Sequence, residues 1–223
     1  MAHLLDEFKR MSQRFTANHG PEIRLMRPDD LDEVLRLIRL HDSDDYKAAK
    51  ASFAHTDFHA PLEHIAHAVL LDPQERRPVA VSGYYVDDLE AQGVYWLGWT
   101  YVNPFFRGKG YGGAVMEWVL GALQHIQARK CFLSTSSLPK YQGAVGFYQR
   151  YGFVTEGRLK DFYAPGEDQL IMGVDLSRVP AFKARTWTPP APRPPSYEPP
   201  VRSPNRAPDA PPKQDDDKVV FEF

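Results

Sequence analysis

Apolar residues recur along this chain with two periods, and the switches between them mark out its elements. Leu4, Leu5, Phe8, Met11 and Phe15 stand at helical spacing, which predicts an amphipathic helix over 1–15 that docks on the domain or on a partner. Glu22 to Met26 reads as a short strand. Pro28-Asp29-Asp30 opens a helix with Asp29 as its cap and Leu31, Val34, Leu35 and Ile38 as its apolar face. A second helix runs from Asp44 and Asp45 to Ala54. Ile65 to Leu71 and Val79 to Val86 alternate as strands around a turn at 73–78, which predicts an antiparallel hairpin.

The aromatic and β-branched run Val94 to Val102 predicts the next strand, with Gly98 marking a bulge. A helix over 113–128, a strand from Lys130 to Thr135 and a helix from Tyr141 to Tyr151 follow, the last stopped by Gly152. Phe153 to Glu156 and Gln169 to Leu176 close the series as strands. The order is β-α-α-β-β-β-α-β-α-β-β. Helices follow the fourth and fifth strands, so that pair is expected to be parallel inside a mixed, mostly antiparallel sheet of an α/β (α+β) domain.

Between the strand at 94–102 and the next helix lies Asn103-Pro104-Phe105-Phe106-Arg107-Gly108-Lys109-Gly110-Tyr111-Gly112-Gly113. Glycines let such a turn bend sharply and converge its N–H groups, and the helix behind it aims its positive end at the same point. This is a cradle for a diphosphate. It is not a P-loop, because no Ser or Thr follows Gly108-Lys109. It is one residue too short for a GxGxxG dinucleotide fingerprint.

Composition narrows the class. A formal net charge of -2 over 223 residues gives no basic surface for nucleic acid. The one cysteine, Cys131, excludes an internal disulfide and suits a reducing compartment. No apolar run is long enough to span a bilayer, and Met1 to Phe15 carries charges throughout, unlike a secretory signal. A cytoplasmic protein with no membrane partner is expected.

Eleven of the 20 prolines lie between Pro189 and Pro212, where few aliphatic residues offset the ordering entropy. The expected organisation is an N-terminal helix over 1–20, one domain over 21–178 and a Pro-rich, disordered tail over 179–223. The tail ends in Asp215-Asp216-Asp217 and the β-prone Val219-Val220-Phe221-Glu222-Phe223, which could add a strand to a sheet edge of a protein partner. A homodimer is the other protein assembly left open.

Arg107-x-x-Gly110-x-Gly112 resembles the acetyl-CoA pyrophosphate loop of the GNAT N-acetyltransferase superfamily. Ala144-Val145-Gly146-Phe147-Tyr148-Gln149-Arg150-Tyr151-Gly152-Phe153 is similar to the second signature of that superfamily, about thirty residues on and in the right order. The likeness covers roughly Glu22 to Leu176. Thr135-Ser136-Ser137 and the stretch Asp161 to Asp168 resemble a prokaryotic subgroup, a likeness that identifies no substrate.

The resemblance implies the GNAT fold, with Lys130 to Thr135 as the strand that splays from its neighbour and admits pantetheine. It implies acetyl-CoA as cosubstrate, held by Arg107, Gly108, Lys109, Gly110, Tyr111, Gly112 and Gly113, with backbone contacts from Tyr101 and Val102 to the pantetheine and the thioester carbonyl. It implies Tyr148 as the general acid that protonates the departing thiolate; a phenol with a pKa near ~10 is protonated at neutral pH. The expected acceptor is a primary amine of a small molecule, or of a peptide or protein.

The general base is the gap. Many members carry a glutamate on the strand before the loop, but Val94 to Tyr101 has no carboxylate. Asp88, Glu90, Asp161 or a water chain remain as sources, or an amine that arrives neutral. An aromatic acceptor pocket is expected, drawn from Tyr84, Trp96, Trp99, Phe162 and Tyr163, some of which must instead be core. His55 and His59 stand four apart, but Pro61 breaks their helix, and His64 and His67 point differently, so no metal site is expected. Cys131 reads as a small core side chain rather than a nucleophile. Two other readings stand beside the enzyme: a pseudoenzyme that binds acetyl-CoA, and an adaptor working through its tail.

Overall fold

Alternation of apolar positions on neighbouring strands sets the sheet. The computed structural model describes residues 2–19, 21–54, 56, 58, 62–86 and 92–178. In chain order the elements are α1 (Ala2–His19), β1 (Ile23–Leu25), α2 (Leu31–His41), α3 (Ser43–Ala54), β2 (Ile65–Leu71), β3 (Pro78–Tyr85), β4 (Val94–Leu97), β5 (Tyr101–Val102), α4 (Tyr111–His125), β6 (Lys130–Ser136), α5 (Gln142–Arg150), β7 (Val154–Ala164) and β8 (Glu167–Asp175). The strands pair in the order β1-β2-β3-β4-β6-β8-β7, with β5 also on β3. β4 and β6 are parallel, and every other pairing is antiparallel. This is the mixed sheet expected from the element order.

The alternation splits the core in two. On one face Ala68, Leu70, Ala80 and Tyr84 pack beneath the wholly apolar side of α4, around Val115, Trp118 and Val119. On the other, Val69, Leu71 and Val81 meet Val34 and Ile38 of α2 and Phe53 of α3. The tail expected at 179–223, and with it the tip at Val219–Phe223, lies outside the described residues.

α1 docks on α4. Phe8 is buried edge-on against Trp118, with ring centroids 5.5 Å apart, and the Trp118 Nε1–H donates to Ser12 Oγ at 3.0 Å. An aromatic ring so enclosed carries much of the helix's binding to the domain. Phe8→Ala should therefore cost about 3–5 kcal/mol of stability by urea unfolding. An unchanged midpoint would mean that α1 adds nothing to the fold.

Two local readings differ from the sequence. Pro28 to Asp30 forms a 3-10 turn, and its organising residue is Asp30, not Asp29. The Asp30 carboxylate accepts the Arg27 N–H at 2.7 Å and both Arg24 guanidinium nitrogens at 2.6 and 2.8 Å. Asp30 is the buried member of the pair, so its charge needs these partners. β7 runs on past Glu156 to Ala164 as an exposed edge strand. Without a buried face it shows no alternation to read.

Candidate active site

The site begins where β4 breaks. Leu97 faces Tyr84 of β3, and Tyr101 of β5 faces Val81. Four steps along one strand thus oppose three along the other. The extra residue makes Gly98–Thr100 the bulge that Gly98 signalled. Its anchor is the Gly98 N–H, which donates to the Gly83 carbonyl at 2.7 Å. On its other side β4 pairs with β6 only as far as Trp96 opposite Phe132, while β6 continues to Ser136 along β8. The parallel pair opens at the bulge.

The glycine loop lies beyond this opening. Asn103 Oδ1 accepts the Phe105 N–H at 3.0 Å and starts a 3-10 turn over Pro104–Phe106. Gly108 and Gly110 then take φ of 77° and 81°, left-handed values that a side chain disfavours, and Gly110 becomes the N-cap of α4. A Cβ on Gly113 would come within 2.8 Å of the Tyr151 hydroxyl. The helix start therefore sits directly against α5. First-turn N–H groups of a helix have no carbonyl upstream, so this end of α4 offers donors and a positive dipole.

These parts share one cleft of about 1590 Å³. Val102, Arg107, Gly108, Gly110, Tyr111, Gly112 and Gly113 line it, as do Tyr148 and Tyr101. Lys109 does not: its ammonium lies 4.6 Å above the Phe106 ring, outside the cleft. Arg107 Nη2 donates to His41 Nδ1 at 3.0 Å, so the imidazole must keep that nitrogen unprotonated. Burial, then the neighbouring Arg107 charge, lower the His41 pKa in keeping with that. The Tyr101 hydroxyl turns away from the loop to donate to Asp45 Oδ2 at 3.0 Å, and burial ahead of that charge raises its pKa.

Tyr148 projects from α5 toward the bulge. Burial pushes its phenol up to about 12, opposed by a hydrogen bond with Thr100. Thr100 is itself fixed: its Oγ1 donates to the Gly98 carbonyl at 3.1 Å and lies 2.8 Å from the buried Ser82 Oγ. The neutral phenol thus stands at the open end of the parallel pair with its proton in place.

The acceptor aromatics divide. Trp96, Trp99 and Tyr163 line the cleft. Tyr84 is a correction: it is fully buried, edge-on to Tyr95, and donates to the Leu62 carbonyl at 2.7 Å. Even alternation on β3 puts it on the α4 face. Phe162 is a second correction, exposed on the β7–β8 hairpin outside the cleft.

Of the proposed bases, Asp161 holds its hairpin, accepting the Gly166 N–H at 2.7 Å, while Asp88 and Glu90 lie outside the described residues. His55 and His59 also lie outside them. Cys131 is fully buried, and burial raises its thiol pKa. His41, Ser134, Glu167 and Tyr141 line the cleft without having been singled out in the sequence. They come from elements whose mutual approach is tertiary, so no local pattern marks them.

Residues 32–153 match the acetyltransferase (GNAT) family. The chain belongs to that family, whose activity is acetyl-CoA-dependent acetyl transfer. Among solved structures it is similar to a GNAT-family protein from Desulfovibrio desulfuricans, 23% identical over 70% of this chain and 99% of that one, with a TM-score of 0.60. It is similar also to the ribosomal-protein-S18-alanine N-acetyltransferase from Escherichia coli, 17% identical over 70% of this chain and 94% of that one, TM-score 0.57. An aminoglycoside 6′-N-acetyltransferase complexed with coenzyme A is 12% identical over 71% of this chain and 98% of that one, TM-score 0.55. Likeness at these identities shows the fold. No curated protein matches the sequence. Among the described residues no helix is long and apolar enough to cross a membrane.

Proposed function

We propose that this protein is an N-acetyltransferase that moves the acetyl group of acetyl-CoA directly to a primary amine of a small molecule or peptide, in a ternary complex. One observation carries the reading: the glycine loop at the start of α4 and Tyr148 of α5 line the same cleft, and the Tyr148 phenol is hydrogen-bonded to Thr100 in the bulge where the parallel pair opens. A donor whose pyrophosphate rests on the loop has its thioester within that opening. Loop N–H groups and the α4 dipole neutralise the pyrophosphate. Arg107, already oriented by His41, adds a charge-assisted contact.

Backbone at Tyr101 and Val102 guides the pantetheine and polarises the carbonyl. Tyr148 protonates the departing thiolate. Trp96, Trp99 and Tyr163 form the wall met by the acceptor. Residues 21–178 then constitute the catalytic domain, with α1 packed on it and 179–223 as a Pro-rich tail.

Thermal shift with acetyl-CoA tests donor binding. Thiol release with phenethylamine, spermidine and a short peptide with a free N-terminus tests transfer. Arg107→Ala should weaken acetyl-CoA binding by about tenfold or more, the share of a hydrogen bond to a charged group. Stabilisation by acetyl-CoA without thiol release on any amine would make the chain a binding module instead.

A further inference from the structure

The reaction needs a group to take the amine proton, and β4 brings no carboxylate. A half-buried imidazole lies in the same cleft. His67 on β2 faces Gly83 across the ladder to β3, and its ring occupies the space that a side chain there would fill: a Cβ on Gly83 would lie 2.5 Å from His67 Cδ2. A Cβ on Gly98 would lie 3.2 Å from His67 Nε2. Two residues without side chains thus let the ring lie flat over the sheet, with its Nε2 edge against the bulge where the parallel pair opens. Phe53 of α3 holds it from above, with centroids 5.2 Å apart.

The position is informative on two counts. His67 reaches the Gly98–Thr100 segment from the face covered by α2 and α3, whereas Tyr148 reaches it through Thr100. His67 has no hydrogen-bond partner among the described residues, although it is half-buried and lines the cleft. An imidazole with no protein partner beside an open cleft is placed to accept a proton from a ligand there.

We infer that His67 is the general base of the acetyl transfer, accepting the proton of the attacking amine at the floor of the cleft. This rests on the acetyltransferase reading above. The amine lone pair forms the C–N bond at the thioester carbonyl carbon, and the nitrogen's surplus proton passes to the neutral imidazole. The carbonyl re-forms as the C–S bond breaks, and the thiolate takes the Tyr148 proton. Exchange with solvent then returns one proton to Tyr148 and removes one from His67, leaving the amide and free CoA thiol. Burial drops the imidazole to about 4, so it enters the reaction neutral across the physiological range. The proton leaves nitrogen as the adduct collapses to the amide, and the imidazolium then gives it up readily to solvent.

The test is rescue of His67→Ala by added azoles, with the amine of the panel that wild type turns over fastest. The variant should bind acetyl-CoA as wild type does and lose about a hundredfold in kcat. Imidazole should restore much of that loss. Pyrazole, of the same size and far less basic, should not. His67→Gln, which keeps the volume without the basicity, should show the same loss. Wild-type kcat in either variant overturns the inference while leaving the acetyltransferase reading intact. A loss restored by both azoles, or by neither, assigns the ring a packing role and overturns it equally. A wild type that acetylates no amine overturns the acetyltransferase reading itself, and the inference with it.

Discussion

Tyr148→Phe is expected to lower kcat by about a hundredfold to ten-thousandfold, while acetyl-CoA affinity hardly moves. The substitution deletes one oxygen. The ring keeps its place against Phe147 and Phe153, with centroids 5.5 and 5.9 Å away, so the cofactor cleft keeps its shape. What goes is the proton that Tyr148 holds beside Thr100. Because burial keeps the phenol at about 12, wild-type Tyr148 remains protonated throughout the ordinary assay range, and its ionisation should impose no alkaline fall in rate until well above pH 10. Single-turnover acetyl transfer, measured apart from CoA release, is the deciding quantity. An unchanged single-turnover rate would remove Tyr148 from the chemistry and leave it as a packing residue of α5.

The contrast between Tyr148 and His67 shows what the sequence could reveal. The glycine loop and the Phe147-Tyr148 signature are local: their spacing is written in consecutive residues, and so is the helix start that they create. The bulge was visible too, since Gly98 interrupts a run of β-branched and aromatic residues. His67 was visible as a histidine but not as part of this site. Its place depends on Gly83, sixteen residues away, and on Gly98, thirty-one away, both lacking a Cβ at the point where the ring lies. Such a juxtaposition exists only once three strands have paired.

The same reason explains the aromatic assignments. Tyr84 and Trp96 are both strand aromatics next to the opening, yet Tyr84 falls on the α4 face and Trp96 lines the cleft. Composition cannot separate them, because the face is decided by register: Trp96 stands opposite Tyr85 and Tyr84 opposite Leu97, one step apart and so on opposite faces. The length of β7 was hidden for the opposite reason. Its exposure on both faces removes the pattern on which strand recognition depends.

The burial that keeps His67 neutral also makes the fold sensitive to acid. His67 falls from an ordinary 6.5 to about 4 in the folded chain, and burial alone is the cause. Above pH 6.5 neither folded nor unfolded chain protonates it, and it has no effect. As pH falls through 6.5 the unfolded chain takes up the proton and the folded chain does not, so stability falls until the folded pKa is reached. Over that window the loss should be about 3 kcal/mol, a large share of the stability of a domain this size. The structural carboxylates Asp30, Asp72 and Asp168 have lowered pKa values, and their contributions persist until pH falls below the ordinary carboxylate range. They leave the window between 6.5 and 4 largely to histidine. Urea unfolding of wild type and His67→Gln at pH 7 and pH 4.5 isolates the effect, since the two proteins differ only at residue 67. Wild type should lose more stability than the variant between the two conditions. Parallel losses would mean that the imidazole is protonated in the folded chain, and that the cleft floor is wetter than its packing against Phe53 implies.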